Sequence, residues 1–291
     1  MIAMVAMRPL ERITEYPFIV DLQEVSGTPK GQATIRLWED AGGTPVGFSL
    51  LDGSFLAFEI SPQAAFDDLA GQMIAWSMEK LASAGESPAP PGELVTSCRA
   101  EDTQRIDFFE RQGFVAQPVR TLRFLRSLKE SFPAPRLLEG FLIRPIAGEE
   151  EVEALVALHR AAHGTENMTI GFRLSMMCTP DYDRELDLVA VAPEGRLASY
   201  VMCHFSPEEN RLRKQKIGYT DPVATHPDFQ GKGLARALLL AGFGRLKERG
   251  MEFAEVATWG ENIGMIRTAE SVGYRLYSTS IFFNLVLLQS R

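Results

Sequence analysis

The sequence has little with which to build a covalent or metal-held framework. Its 291 residues include three cysteines and four histidines. Cys98, Cys178 and Cys203 are an odd number with no short spacing, which argues against a disulfide scaffold or a thiolate metal site and fits a reducing compartment. His159 and His163 stand four apart, as zinc ligands on one helix face do. Arg160, however, occupies the place of the glutamate that an HExxH pattern requires, so the pair reads as surface or core and no metal is expected. Basic charge is also in deficit: 30 Lys and Arg against 38 Asp and Glu give a net charge of -8. Broad nucleic-acid binding needs a concentrated basic face, so no nucleic-acid partner is expected. The balance leaves room for cationic amines as substrates or partners. Long apolar runs are missing too. The N-terminal MIAMVAMRPLERI lacks the apolar core and small-residue cleavage site of a secretory signal. The most apolar stretch, Ile281 to Leu288, is eight residues with Asn284 inside it, where a membrane span needs roughly 20. The expectation is a soluble, cytoplasmic protein without a membrane partner, a monomer or homodimer.

What is there reads as ordinary globular protein, 45% apolar and 23% charged, and the length suggests two domains at roughly 150 residues each. The segment Leu128 to Arg136 carries Pro133 and Pro135 among charges and reads as a stiff, extended linker. The expected division is 1–128, a linker at 129–139, and 140–291.

The two halves repeat each other in order. In the second, Gly218 to Thr225 reads as a strand and Pro227 opens a turn. A helix pattern runs from about Leu234 to Arg249, Phe253 to Thr258 is a strand, and Asn262 to Ser271 is a helix closing on Gly273-Tyr274. A β-rich run from Leu276 to Leu288 ends the chain. Glu149 to Met177 offers two further helices. In the first half, Ser54 to Ile60 is a strand, Pro62 opens the turn and Asp67 to Ala84 is helical. Leu94 to Cys98, Asp102 to Arg111 with Gly113-Phe114, and Thr121 to Leu125 follow as strand, helix and strand. Pro62 lies 165 residues before Pro227 and Gly113 lies 160 before Gly273. The longer loop Glu86 to Gly92 absorbs the difference at small cost. Strands alternating with helices predict an α/β layer architecture in each half.

The stretch most informative about chemistry is Pro227 to Leu240, PDFQGKGLARALLL. Gln230, Gly231, Lys232, Gly233, Leu234 and Ala235 end a strand-to-helix turn and begin a long helix. The first N–H groups of a helix lack internal partners and its dipole makes that end electropositive. Glycine lets the backbone come close to a ligand. Together these form a cradle of amides for phosphates, with Lys232 at its rim. Neither the GxxxxGK[ST] nor the GxGxxG spacing is present, so this is neither a Walker loop nor a Rossmann turn.

With the whole order present, the chain resembles the GCN5-related N-acetyltransferase (GNAT) superfamily. The motif (Gln or Arg)-x-x-Gly-x-(Gly or Ala) is matched by Gln230, Gly233 and Ala235. A second motif, an Asn eleven residues before a Gly-aromatic pair, is matched by Asn262, Gly273 and Tyr274. The resemblance covers about residues 140–288 well and 30–126 in degenerate form. It implies two tandem domains, each a mixed, mostly antiparallel sheet flanked by helices with a splayed central strand pair. It further implies acetyl-CoA as cosubstrate, its pyrophosphate on the amides of Gln230 to Ala235. The pantetheine arm would pair with the backbone along Val223, Ala224 and Thr225, and Asn262 would touch it further along. Asparagine at that place also reads as a helix cap.

Transfer of an acetyl group to an amine requires a deprotonated nucleophile, a polarised carbonyl and a protonated leaving thiolate. The resemblance suggests Asp221, on the strand before the turn, as base. His226 is a rival by its ordinary pKa near 6.5. Where many members place a tyrosine for the thiolate, this chain has Ala269, which leaves Ser271, Tyr274, Tyr277 or water; Tyr274 reads as a core aromatic. In the first half, Gln230, Gly233 and Ala235 correspond to Ala65, Asp68 and Ala70, and a carboxylate there opposes a pyrophosphate. That half reads as scaffold or as one wall of the cleft. RLRKQK, from Arg211 to Lys216, reads as a solvated loop that can also meet the cofactor's phosphate. Gly164 to Met177 should cover the acceptor, with Glu166 and Asp181 as possible partners for a cationic amine. The reading is an N-acetyltransferase acting on a primary amine of a small molecule or peptide. Its alternatives are a CoA-binding sensor without turnover, or an acyltransferase with another donor.

Overall fold

The computed structural model describes residues 6–9, 35–83 and 92–286. The ESPAPPG loop apart from Gly92, and most of the chain before Ala33, lie outside the described residues. In chain order the elements are β1 (Ala6–Pro9), β2 (Ile35–Glu39), β3 (Pro45–Asp52), β4 (Phe55–Ile60), α1 (Phe66–Ser83), β5 (Glu93–Arg99), α2 (Thr103–Arg111) and β6 (Val115–Ser127). They continue as β7 (Leu142–Pro145), α3 (Val152–His163), α4 (Ile170–Met177), β8 (Asp187–Val191), β9 (Leu197–His204) and α5 (Pro207–Arg213). The chain then forms β10 (Ile217–Thr225), α6 (Leu234–Glu248), β11 (Phe253–Trp259), α7 (Ile263–Ser271) and β12 (Arg275–Val286).

The chain forms two compact units, residues 1–120 with 279–291, and residues 121–278. Their limits fall inside strands rather than at the prolines, because each half of the chain gives its last strand to the other unit's sheet. In the first unit the strands run β1-β2-β3-β4-β5-β12, and Ser280–Val286 of β12 pair antiparallel with Arg99–Glu93 of β5. In the second they run β7-β8-β9-β10-β11-β6, and Thr121–Ser127 of β6 pair antiparallel with Trp259–Phe253 of β11. The order of pairings is the same in both sheets. A single parallel pair stands next to the last strand, β4 with β5 in one unit and β10 with β11 in the other, and each is joined by a crossover helix.

In the first unit α1 and α2 close an aromatic core. Phe109 packs its ring against Phe283 of β12 at 5.3 Å and edge-on against Phe58 at 6.0 Å. In the second unit both sheet faces are covered. Leu238, Leu239, Phe243 and Leu246 of α6 pack with Val201, Ala254 and Val256, while Leu155 and Leu158 of α3 pack with Val189, Tyr200 and Ala224. Strand β8 is buried along its whole length, DLVAV, which is why Leu188 to Val191 are all apolar and do not alternate. Close approach of α6 to β10 requires Gly218: a Cβ there would stand 2.5 Å from Leu246 Cδ2.

The basic run from Arg211 differs from its expectation as a loop. Its first part belongs to α5, which Ser206 caps through the Glu209 N–H at 3.2 Å and which has Pro207 in its first turn. These are ordinary start signals. Lys214 ends the helix in the left-handed region, at φ 52°.

Candidate functional site

The site starts where two strands part. β10 and β11 pair in parallel only through Ile217–Phe253, Gly218–Ala254 and Tyr219–Glu255. Beyond Tyr219, β10 stays with β9 and β11 stays with β6, so a gap opens between their C-terminal halves. Between Thr220 and Val223 the register with β9 shifts by one residue, a bulge that contains Asp221 and Pro222. Such a bulge bends the strand and re-aims the residues in it.

The backbone past the bulge has a defined direction. The His226 N–H donates to the Ala198 carbonyl at 2.9 Å. Antiparallel pairs alternate between bonded and non-bonded, so Val223 and Thr225, opposite Val201 and Ser199, turn their N–H and C=O groups away from β9 and into the gap. Ala224, between them, faces β9; its carbonyl accepts from Ser199 Oγ at 2.7 Å. The Gln230 side-chain amide reaches the Thr225 carbonyl at 3.5 Å.

At the end of the gap lies the turn into α6. Gly231 and Gly233 hold φ at 75° and 74°, and a Cβ on either would meet nothing within 4 Å. Left-handed dihedrals here suit glycine alone without strain. Gly233 caps α6 with no side-chain hydrogen bond, so no cap side chain competes for the first-turn amides. Gln230 to Gly233 are exposed, Leu234 is buried in the core and Ala235 is half-buried. Lys232 Nζ lies 4.8 Å from the Phe229 ring centre and the Arg196 guanidinium 5.0 Å from it. The buried Phe229 ring thus carries two cations beside a helix N-terminus.

Asp221 is half-buried in the bulge. His226 is engaged otherwise, since its Nδ1 accepts the Asp228 N–H at 3.2 Å. Asn262 caps α7, its Oδ1 accepting from the Met265 N–H at 3.1 Å. Ala269 is fully buried. Tyr274 is a core residue, hydrogen-bonded at 2.6 Å to Thr220 Oγ1, and burial pushes its phenol well above the ordinary value. Ser271 donates to the Thr268 carbonyl at 2.7 Å on α7. Tyr277 is half-exposed, and its hydroxyl donates to Glu255 Oε2 at 2.7 Å.

Glu255 was not among the residues singled out from the sequence, although a carboxylate inside an apolar strand, FAEVATW, was a signal. It is 5% exposed and its Oε1 accepts from Arg123 at 2.9 Å. Its neighbours Ala254 and Val256 pack under α6, so Glu255 projects from the opposite face. Under α3 and α4, Arg173 is ion-paired with Asp187, both fully buried, and the Tyr182 hydroxyl donates to Asp187 at 2.8 Å. His159 Nδ1 lies 2.6 Å from the Tyr200 hydroxyl, and burial pushes its pKa down to about 4, with His163 and Arg173 adding to the shift. Glu166 pairs with Arg160 at 2.7 Å, and Asp181 is exposed. Among the described residues no three His, Cys, Asp or Glu side chains gather as a metal site, and no helix is long and apolar enough to cross a membrane.

Residues 152–274, which hold the gap and the cradle, match the model of the Acetyltransferase (GNAT) family. This part of the chain is similar to the GNAT acetyltransferases. A mycothiol acetyltransferase of Saccharomonospora viridis is 27% identical over 160 residues, 53% of this chain and 52% of that one. The chain thus spans about half the length of the curated relatives it matches. A GCN5-related N-acetyltransferase from Sphaerobacter thermophilus superposes with a TM-score of 0.77 at 18% identity, over 97% of this chain and 95% of that one. A tandem GNAT protein from the clavulanic acid biosynthesis pathway gives 0.74 at 16%, over 99% and 100%. At such identities these structures speak for the GNAT fold, a mixed α/β architecture with an open sheet.

Proposed function

We propose that the second unit transfers an acetyl group from acetyl-CoA to a primary amine of a small molecule or peptide. The observation that carries this is the continuity of gap and cradle. Backbone groups of Val223 and Thr225 face the opening, and it leads to the turn at Gly231 and Gly233 and the first amides of α6. An extended pantetheine arm can add to β10 as a strand would, and a pyrophosphate suits the helix N-terminus with Lys232 beside it. Asn262 contacts the arm through whatever capacity its capping bond leaves. Relatives named mycothiol acetyltransferase support acetyl transfer as the reaction; their acceptor is not carried over to this chain.

In the reaction, the amine nitrogen attacks the thioester carbon and the C–S bond breaks. Asp221, at the bulge where the strands part, takes a proton from the attacking nitrogen. With Ala269 buried and Tyr274 committed to Thr220, the departing thiolate takes its proton from water. The first unit is a repeat of the same scaffold that has lost the cradle: Asp67 and Asp68 open α1, where an anion would meet like charge.

Calorimetric titration with acetyl-CoA tests the reading, followed by release of free thiol in the presence of primary amines. One equivalent bound per chain with amine-dependent thiol release is expected. Binding without release with any amine would favour a CoA sensor, and no binding would refute the proposal.

A further inference from the structure

The amine reading leaves one proton without an acceptor. At neutral pH a primary alkylamine arrives as an ammonium ion, and its nitrogen must lose two protons to become an amide. One leaves before attack, to free the lone pair, and one leaves as the C–N bond forms. Asp221 accounts for the second.

The residues that face the vertex of the gap offer a place for the first. Tyr219 and Glu255 are the last parallel pair before β10 and β11 part, so Glu255 stands at the vertex itself. Its carboxylate is held by Arg123 of β6 and Tyr277 of β12, while Tyr219 of β10 is its partner in the parallel ladder. Being 5% exposed, Glu255 has almost no surface with which to meet a ligand, whereas Tyr277 is 48% exposed. The phenol is therefore the outward end of a short chain of hydrogen bonds, and its hydroxyl hydrogen points inward, to Glu255 Oε2 at 2.7 Å. Arg123, on the other carboxylate oxygen at 2.9 Å, fixes the carboxylate plane.

We propose that Tyr277 and Glu255 form a relay that takes the first proton from the acceptor ammonium. The ammonium gives a proton to the Tyr277 oxygen as that hydroxyl gives its own to Glu255 Oε2. The products are a neutral amine, a neutral phenol and a neutral carboxyl beside Arg123. The relay resets by the reverse path to solvent once the product has left. Tyr277 touches the substrate, and Glu255 is a proton acceptor that acts through it. No phenolate forms next to a carboxylate at any stage, so the relay avoids the like-charge contact that would oppose Tyr277 as an acid toward the thiolate.

This inference rests on the acetyl-transfer reading, and two probe amines separate the two. n-Butylamine is protonated at pH 7; O-propylhydroxylamine has the same length and a nitrogen that is already neutral. Thiol release from acetyl-CoA is measured with each for the native chain, E255Q, Y277F and D221N, with acetyl-CoA binding as the check on folding. General acid–base groups contribute about 10²- to 10⁴-fold. E255Q and Y277F are expected to bind acetyl-CoA normally, to slow n-butylamine by about a hundredfold or more, and to leave O-propylhydroxylamine within about threefold. D221N is expected to slow both. An equal loss with both amines in E255Q would make Glu255 a structural residue and overturn the relay, as would no loss with either. Failure of the native chain to transfer to either amine would sink the acetyl-transfer reading and the relay with it.

Discussion

Removing Arg173 should loosen α4 from the sheet by an amount that depends on pH. Arg173 and Asp187 are 0% exposed, Arg173 Nη1 lies 3.0 Å from Met202 Sδ, and Arg173 Nε and Asp187 Oδ1 have no hydrogen-bond partner among the described residues. A pair so enclosed contributes little net stability, because desolvation offsets attraction; breaking it by one substitution costs about 3–5 kcal/mol. At about 1.4 kcal/mol per tenfold change, R173M should speed amide exchange in α4 and β8 by between about a hundredfold and several thousandfold. Replacing both partners, R173M with D187L, should return exchange to within about tenfold of the parent. Burial already pushes the Asp187 carboxyl upward against the pull of Arg173 and the Tyr182 hydroxyl. A carboxyl raised in the folded state binds protons there that the unfolded chain does not. Its stability is therefore full below the ordinary carboxylate range and is lost as pH rises toward the folded value. Without Arg173 the rise is greater, so the R173M penalty should shrink between pH 7 and pH 5. Hydrogen exchange with mass-spectrometric readout, corrected for intrinsic rates, measures both. If R173M exchanged no faster than the double variant at pH 7, the pair would not be holding α4, and the reasoning would be wrong.

Two further outcomes follow from single contacts. N262A removes the cap on α7, at a cost of about 1 kcal/mol in urea unfolding; if Asn262 also meets the cofactor arm, its acetyl-CoA dissociation constant rises, and a purely structural Asn262 would leave that constant unchanged. His159 is held neutral by burial, with a pKa near 4 against 6.5 unfolded, so its contribution is present above pH 6.5 and lost as pH falls toward 4. H159F should flatten the acid limb of the stability curve in that window, and an unaltered slope by chemical denaturation would show that the ring is not buried as described.

How much of this was legible in the sequence depended on whether the signal was local. The turn into α6 announces itself, since Gly231 and Gly233 are where left-handed dihedrals occur and Leu234 begins an apolar helix face. Strand β10 and helix α7 appear within a residue or two of where their patterns place them. Helix α5 was also marked by Ser206, Pro207 and two acidic residues, but the basic run behind it drew the reading toward a loop. Strand partners were not legible. Nothing in Thr121 to Ser127 says that its neighbour is β11, because pairing depends on chain topology and not on the pattern of side chains. The proline segment therefore looked like the boundary, while the compact units divide inside β6 and β12. Of the candidate site, the backbone parts were visible and the buried side chains were not. Glu255 and the Arg173–Asp187 pair are charges that composition assigns to the surface, and only their partners across the fold make burial tolerable.

The central claim is that one acetyl-CoA binds at the turn into α6, and calorimetry on the native chain with G233D and G233N tests it most directly. A Cβ at Gly233 has open space, so either variant bears only the dihedral strain of about 1–2 kcal/mol, and asparagine tolerates that conformation. The account predicts one equivalent bound by the native chain, retained in weakened form by G233N and abolished by G233D, whose carboxylate would face the pyrophosphate. Binding unchanged in G233D, or absent from the native chain, would contradict it.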